Sequence, residues 1–202
     1  MRVGVIGSGA WGTALAKVLH ENGNSVTIWD VDPAVRDDLR QGRNERYLPG
    51  VPLPTDWKVE DDFGKAIGGR ECLVLAVPSR VFREIAARLK GHPGIFISVT
   101  KGIEYETGET MSQILREHAP ANRVAALSGP SFAREVALGI PTTVVCASES
   151  DGTARTVQGM FHRPEFRIYR CLDVLGVEYG GALKNAIALA AGAWMAIDTW
   201  CA

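Results

Sequence analysis

No stretch of this sequence reaches the ~18 to 20 uncharged apolar residues that a membrane-crossing helix needs. The longest candidate, Ala186 to Ala196, follows a lysine and is too short. The N-terminal run MRVGVIGSGAWG is too short and too broken by glycines for a signal peptide, and it reads better as a strand. Charge of one sign is also lacking. Lys and Arg number 22 against 23 acidic residues, for a net charge of −1. There is therefore no electrostatic basis for binding nucleic acid or an anionic membrane. The four cysteines, Cys72, Cys146, Cys171 and Cys201, form no CxxC pair. Cys72 and Cys146 sit in apolar, strand-like runs and read as reduced core residues, which points to the cytoplasm. The four histidines (His20, His92, His118, His162) are scattered, with no second ligand at metal spacing, so no metal site is expected. Internal repeats and low-complexity segments are absent as well.

What is present suffices for a real core: 46% of the 202 residues are hydrophobic. RVGVI (2–6) is a continuous apolar run closed by glycines, the pattern of a buried parallel strand. A helix is expected over 10–23, with Gly23 as its stop. A second strand, SVTIW, follows over 25–29. The next helix, 32–42, takes Asp32 as N-cap, Pro33 at its first position and Gly42 as stop. This β-α-β-α order within 42 residues predicts an α/β, Rossmann-like, doubly wound and mostly parallel sheet. A proline-rich loop (44–54) comes next. Helices are then expected at 61–69, 79–90, 108–119, 131–139 and 150–161. The strands between them fall at 71–77, 94–100, 123–127, 142–148 and 165–171. From Val174 the chain becomes one long helix of small and apolar residues. The reading divides the chain into a dinucleotide-binding unit, 1–173, and the start of an incomplete helical unit, 174–202.

Gly7, Gly9 and Gly12 form G-x-G-x-x-G between the first strand and the first helix. Gly7 allows the tight turn, Gly9 lets a pyrophosphate reach the backbone, and Gly12 lets helix and strand pack closely. The helix start offers unpaired N–H groups to phosphates. A tight turn without ligand is the bland alternative. Asp30 ends the second strand, 18 residues past Gly12, where an acid can bind ribose hydroxyls and repel a 2′-phosphate. NAD is the expected cofactor. Arg36 nearby leaves NADP open.

Two lysines stand out. Lys101 follows a strand, where ligands bind in open α/β sheets. The alternative is a solvated loop lysine. Gly129 and Pro130 turn the chain after another strand, and Ser131 is a candidate N-cap beside a small polar substrate. Lys184 lies on the terminal helix among Gly180, Gly181 and alanines. Burial lowers a lysine pKa toward the range of acid–base chemistry. Snorkelling, or pairing with Glu178, is the bland reading.

The segments GSGAWGTALA, RYLPG, AVPS, VTKGIE, LSGPSFAREV, PTTVV and GVEYGGALKNAIALAAG resemble, in order from residue 4 to 192, NAD(P)-dependent glycerol-3-phosphate dehydrogenase. The resemblance implies reversible reduction of dihydroxyacetone phosphate to sn-glycerol 3-phosphate, feeding phospholipid synthesis. By motif, Lys184 matches the catalytic acid/base, and Lys101 matches a lysine touching both substrate and nicotinamide. Gly129 and Ser131 match substrate contacts, while Ala10, Trp11 and Ala133 match cofactor contacts. Two cations held close would lower each other's pKa and help Lys184 release its proton. Val31 stands where bacterial members often carry a basic residue, which weakens the case for NADP. After about Ala193 the resemblance is lost, and with it an Arg-Asn pair that grips the substrate phosphate. The chain is therefore expected to bind cofactor with weak or no turnover unless another chain covers its terminal helix; a homodimer is left open. Two alternatives stand beside this one. One is a non-catalytic dinucleotide-binding fragment. The other is a sister dehydrogenase for another small hydroxy acid or sugar phosphate.

Overall fold

The structure, a computed structural model, describes residues 1–119 and 123–200, with side chains through Trp194. Cys201, at the end of the expected terminal helix, lies outside the described residues. Eight strands form one sheet: β1 (Arg2–Ile6), β2 (Ser25–Trp29), β3 (Lys58–Val59), β4 (Cys72–Leu75), β5 (Ile95–Ser98), β6 (Val124–Ser128), β7 (Thr142–Ala147) and β8 (Phe166–Cys171). Their order is β3-β2-β1-β4-β5-β6-β7-β8. Neighbours run parallel except β6 and β7, which pair antiparallel through Leu127 and Cys146. The helices are α1 (Ala10–Glu21), α2 (Pro33–Arg40), α3 (Phe63–Ile67), α4 (Ser79–Ala87), α5 (Met111–Arg116), α6 (Ala133–Ala137), α7 (Asp151–Phe161) and α8 (Val174–Trp200).

The two faces of the sheet follow the period-2 alternation of side chains. On β4, Cys72 and Val74 join the apolar layer that contains Leu15 and Leu19 of α1 and Phe161 of α7. Leu73 and Leu75 point the other way, into the layer of Phe82, Ile85 and Ile114 from α4 and α5. Both faces are covered, so all four residues of β4 are buried.

The capping chemistry of α2 agrees with the sequence. Asp32 accepts from the Ala34 N–H at 2.9 Å, Pro33 opens the helix, and Gly42 follows with φ +72°. Several helices are shorter than expected. The largest contraction is 108–119, which shrinks to Met111–Arg116. The two-residue β3 at the sheet edge is not among the strands expected from the sequence, because two residues give no periodicity to detect.

The strand order reverses at β1, which has β2 on one side and β4 on the other. A crevice opens beyond the carboxyl ends of the strands at such a point. The glycine turn after β1, Ala76 to Pro78 after β4, and Lys101 after β5 all reach it.

Candidate cofactor and two-lysine site

A cavity of about 590 Å³ occupies that crevice, lined among others by Gly7, Gly9, Trp11, Asp30, Val31 and Lys101. The glycines of the turn differ in what holds them there. Gly7 has φ +94°, and a Cβ on it would meet the Ala76 carbonyl oxygen at 2.6 Å. A Cβ on Gly12 would lie 2.1 Å from the Gly7 carbonyl oxygen, so α1 starts pressed against the turn. Gly9 has ordinary dihedrals, and a Cβ there would meet nothing within 4 Å. Packing within the chain does not call for glycine at 9. A ligand backed onto the loop does, and this is the observation by which the site fits a dinucleotide pyrophosphate.

The turn is braced from beneath. The Ser8 N–H donates to Asp30 Oδ2 at 2.6 Å. The Ser8 carbonyl accepts from Thr13 Oγ1 and Asn44 Nδ2, each at 2.9 Å. Asn44 also donates to Thr13 Oγ1 at 2.8 Å. Neither Thr13 nor Asn44 was singled out from the sequence; Asn44 sits in the proline-rich loop, 31 positions from its partner.

Asp30 reaches the crevice as expected, but its carboxylate is already engaged. Oδ2 holds the glycine loop, and Oδ1 accepts from the Asp32 N–H at 3.0 Å. Each oxygen keeps a second lone pair for a ribose hydroxyl. Arg36 is not free to meet a phosphate: it donates to the Asp30 carbonyl at 2.6 Å and to Asp61 at 2.8 Å. Val31 is exposed at the mouth of the cavity.

Ala10 opens α1 beside Trp11 and is half-buried. Ala133 opens α6, packs on the main apolar layer, and does not line the cavity. The structure corrects one expectation here. Ser131 is not an N-cap: α6 is capped at Phe132, and the Ser131 hydroxyl donates weakly, at 3.4 Å, to the Gly129 carbonyl. The chain stays extended for one residue longer than the sequence implied.

A second cavity, about 240 Å³, lies between the end of β6 and α8. Ser128, Gly129, Pro130, Gly180, Gly181 and Lys184 are among its walls. The two glycines of α8 have different causes. A Cβ on Gly181 would strike Ser128 Oγ at 2.4 Å, whereas Gly180 faces open space.

The lysines meet where the cavities adjoin. Lys184 stands close enough for its charge to act on Lys101, whose Nζ lies 5.4 Å from the centre of the Trp11 ring. Burial, and then the charge of Lys184, push the Lys101 pKa down from 10.5 to about 8. The lowered pKa is that of the strand-end lysine, Lys101. Pairing of Lys184 with Glu178 is not what the structure shows. Glu178 is buried and accepts instead from the Ser112 N–H at 2.8 Å and the Ser112 hydroxyl at 2.6 Å.

Among the described residues no cluster of three or more His, Cys, Asp or Glu side chains could hold a metal, and no helix is long and apolar enough to cross a membrane.

Known proteins are similar to this chain in sequence and fold. The chain is 45% identical over 199 residues to glycerol-3-phosphate dehydrogenase (NAD(P)+) of Syntrophotalea carbinolica and 44% identical over 198 residues to that of Fusobacterium nucleatum. The alignments cover 95% of this chain but 60% and 59% of those proteins. The crystal structure of glycerol-3-phosphate dehydrogenase from Coxiella burnetii superposes with a TM-score of 0.86 at 32% identity, over 95% of this chain and 60% of that one. A Plasmodium falciparum glycerol-3-phosphate dehydrogenase gives 0.87 at 27%, over 95% and 58%. The chain therefore spans about 60% of the length of the curated relatives it matches. Residues 2–154 match the family described as the NAD-dependent glycerol-3-phosphate dehydrogenase N-terminus, and with the glycine turn at the sheet's reversal point this places the chain in that family.

Proposed function

We propose that this chain binds NAD in the 590 Å³ crevice, and that in a full-length protein it supplies the cofactor half and both lysines for interconverting dihydroxyacetone phosphate and sn-glycerol 3-phosphate. The observation that carries the reading is the meeting of Lys101 and Lys184 beside a turn whose Gly9 faces open space. Trp11, Gly9 and Asp30 all line the crevice, and Asp30 is the acid proposed to meet the ribose hydroxyls. When bound, the cofactor supplies or accepts the hydride. The protein's own contribution is proton and charge. Lys184 gives a proton to the ketone oxygen as it becomes an alkoxide, and takes it back in the reverse direction. Lys101 adds positive charge beside that oxygen. Gly129 offers backbone to the substrate at the edge of the second cavity, next to Lys184, and Ser131 follows it.

The carboxylate at Asp30 and the engaged Arg36 favour NAD over NADP. Residues 174–202 are read as the first helix of a separate helical unit. One face of α8 exposes Leu175, Tyr179, Leu183 and Ile187, a surface that either such a unit or a second copy in a homodimer would cover. The buried free thiols of Cys72 and Cys146 suit the cytoplasm. A second reading, a dinucleotide-binding fragment without turnover, is favoured by that same exposed face. Quenching of tryptophan fluorescence by NADH tests cofactor binding, and loss of NADH absorbance with dihydroxyacetone phosphate tests turnover. Absence of binding would overturn both readings. Binding without turnover in this chain, with Lys184→Ala abolishing turnover in a full-length relative, would support the first reading. Sedimentation of the chain decides the homodimer.

A further inference from the structure

The two lysines come from elements far apart in sequence, and each needs an anchor. Lys101 follows β5 at the start of a connection that runs on to Thr110, the N-cap of α5. Lys184 stands on α8, six residues and about 9 Å along the helix from Glu178. Glu178 reaches across 66 positions and grips Ser112, in the first turn of that same α5. Both hydrogen bonds go to a carboxylate in a buried setting, where they are strong and where a lost partner is costly. α8 is thus tied to the element on which the Lys101 connection ends. On the same side of α8, one turn further along, Gly181 passes Ser128 closely enough to leave no room for a methyl group. These two contacts set both the rotation of α8 and its distance from β6.

We propose that Glu178 and Ser112 are positioning residues for the two-lysine site: their buried clasp fixes where α8 carries Lys184 relative to Lys101. The inference rests on the reading of Lys101 and Lys184 as the working pair. Neither Glu178 nor Ser112 lines either cavity, so both act through the lysines rather than on a ligand. Lys184 is the charged group that acts on Lys101, and the Trp11 ring lies 5.4 Å from the Lys101 Nζ. The protonation midpoint of Lys101 therefore reports the placement of α8.

The experiment follows acylation of Lys101 in the 202-residue chain by limiting acetic anhydride across neutral to alkaline pH, read by peptide mass spectrometry. The parent midpoint is expected near 8. Glu178→Ala should raise it toward the ordinary 10.5, because α8 then takes both its cover and its charge away from Lys101. Glu178→Gln should restore most of the parent value, since a carboxamide can still accept from the Ser112 N–H. Ser112→Ala removes one of the two bonds and should give an intermediate rise; it decides the matter if Glu178→Ala loses its circular dichroism spectrum. A parent-like midpoint in a folded Glu178→Ala, or in Ser112→Ala when the former does not fold, overturns the inference. Lys184→Ala separates the two failures. If it leaves the Lys101 midpoint unmoved, the paired-lysine reading fails. If it raises the midpoint while the clasp variants do not, only the positioning role fails.

Discussion

Gly181 of α8 passes Ser128 of β6 so closely that a Cβ on the glycine would lie 2.4 Å from the serine Oγ, yet 3.5 Å from the serine Cβ. The obstacle is one hydroxyl, not the backbone. Glycine in a helix interior costs about 1 kcal/mol relative to alanine. Gly181→Ala should recover that amount, about 1 kcal/mol, only in a Ser128→Ala background. In the parent the gain should be smaller or reversed, because Ser128 must leave its rotamer. A double-mutant cycle by urea denaturation measures the coupling, and additive effects would contradict the contact.

The glycines of the first turn should separate by readout. Gly12→Ala drives a methyl group onto the Gly7 carbonyl oxygen and should destabilise the chain by about 3 kcal/mol or more. Gly9→Ala meets no protein atom and should change stability by less than about 1 kcal/mol. It should nevertheless weaken NADH binding by about tenfold or more, since its methyl group enters the space proposed for the pyrophosphate. Thermal melts and NADH titration of both variants check this pair of outcomes.

Asn44 joins the proline-rich loop to the glycine turn through Ser8 and Thr13. Removing it leaves the Ser8 carbonyl with Thr13 as its side-chain partner. Asn44→Ala should cost about 1–3 kcal/mol, with NADH affinity falling alongside. Asn44→Asp should be worse, because a carboxylate cannot donate to the Ser8 carbonyl. Equal stability of the two variants would count against the hydrogen bond as the cause.

Lys101 makes stability depend on pH. Its pKa is about 8 in the folded chain against an ordinary 10.5, so between those values the unfolded chain holds a proton that the native one has lost. Stability therefore rises with pH across that window, and below it the fold bears the cost of a charged, half-buried lysine beside Lys184. Lys101→Met should stabilise the chain at neutral pH by on the order of 1 kcal/mol after allowance for solvent screening, with the gain shrinking as the pH climbs. Burial pushes the Cys72 and Cys146 thiols up to about 11 and about 12, which acts in the opposite direction at alkaline pH. Those contributions cancel in the difference between Lys101→Met and its parent, and that difference is the quantity to follow by denaturant titration.

The sequence by itself determined the elements that local chemistry dictates. The glycine turn, the Asp32 cap with Pro33 and Gly42, and the apolar strand runs needed no tertiary information, because steric rules and side-chain period act within a few residues. It also marked Lys101 and Lys184, one by its place after a strand, the other by its cost in an apolar helix. Tertiary structure decided what each marked residue touches. Two residues of β3 carry no period, and nothing local separates an antiparallel β7 from a parallel one. Ser131 had the chemistry of a cap, but the chain stayed extended past it. Glu178 stood as a candidate partner for Lys184, yet it binds Ser112, 66 positions away. The lowered pKa followed suit: it depends on which ammonium the fold buries, and burial is a property of the packed molecule rather than of any segment.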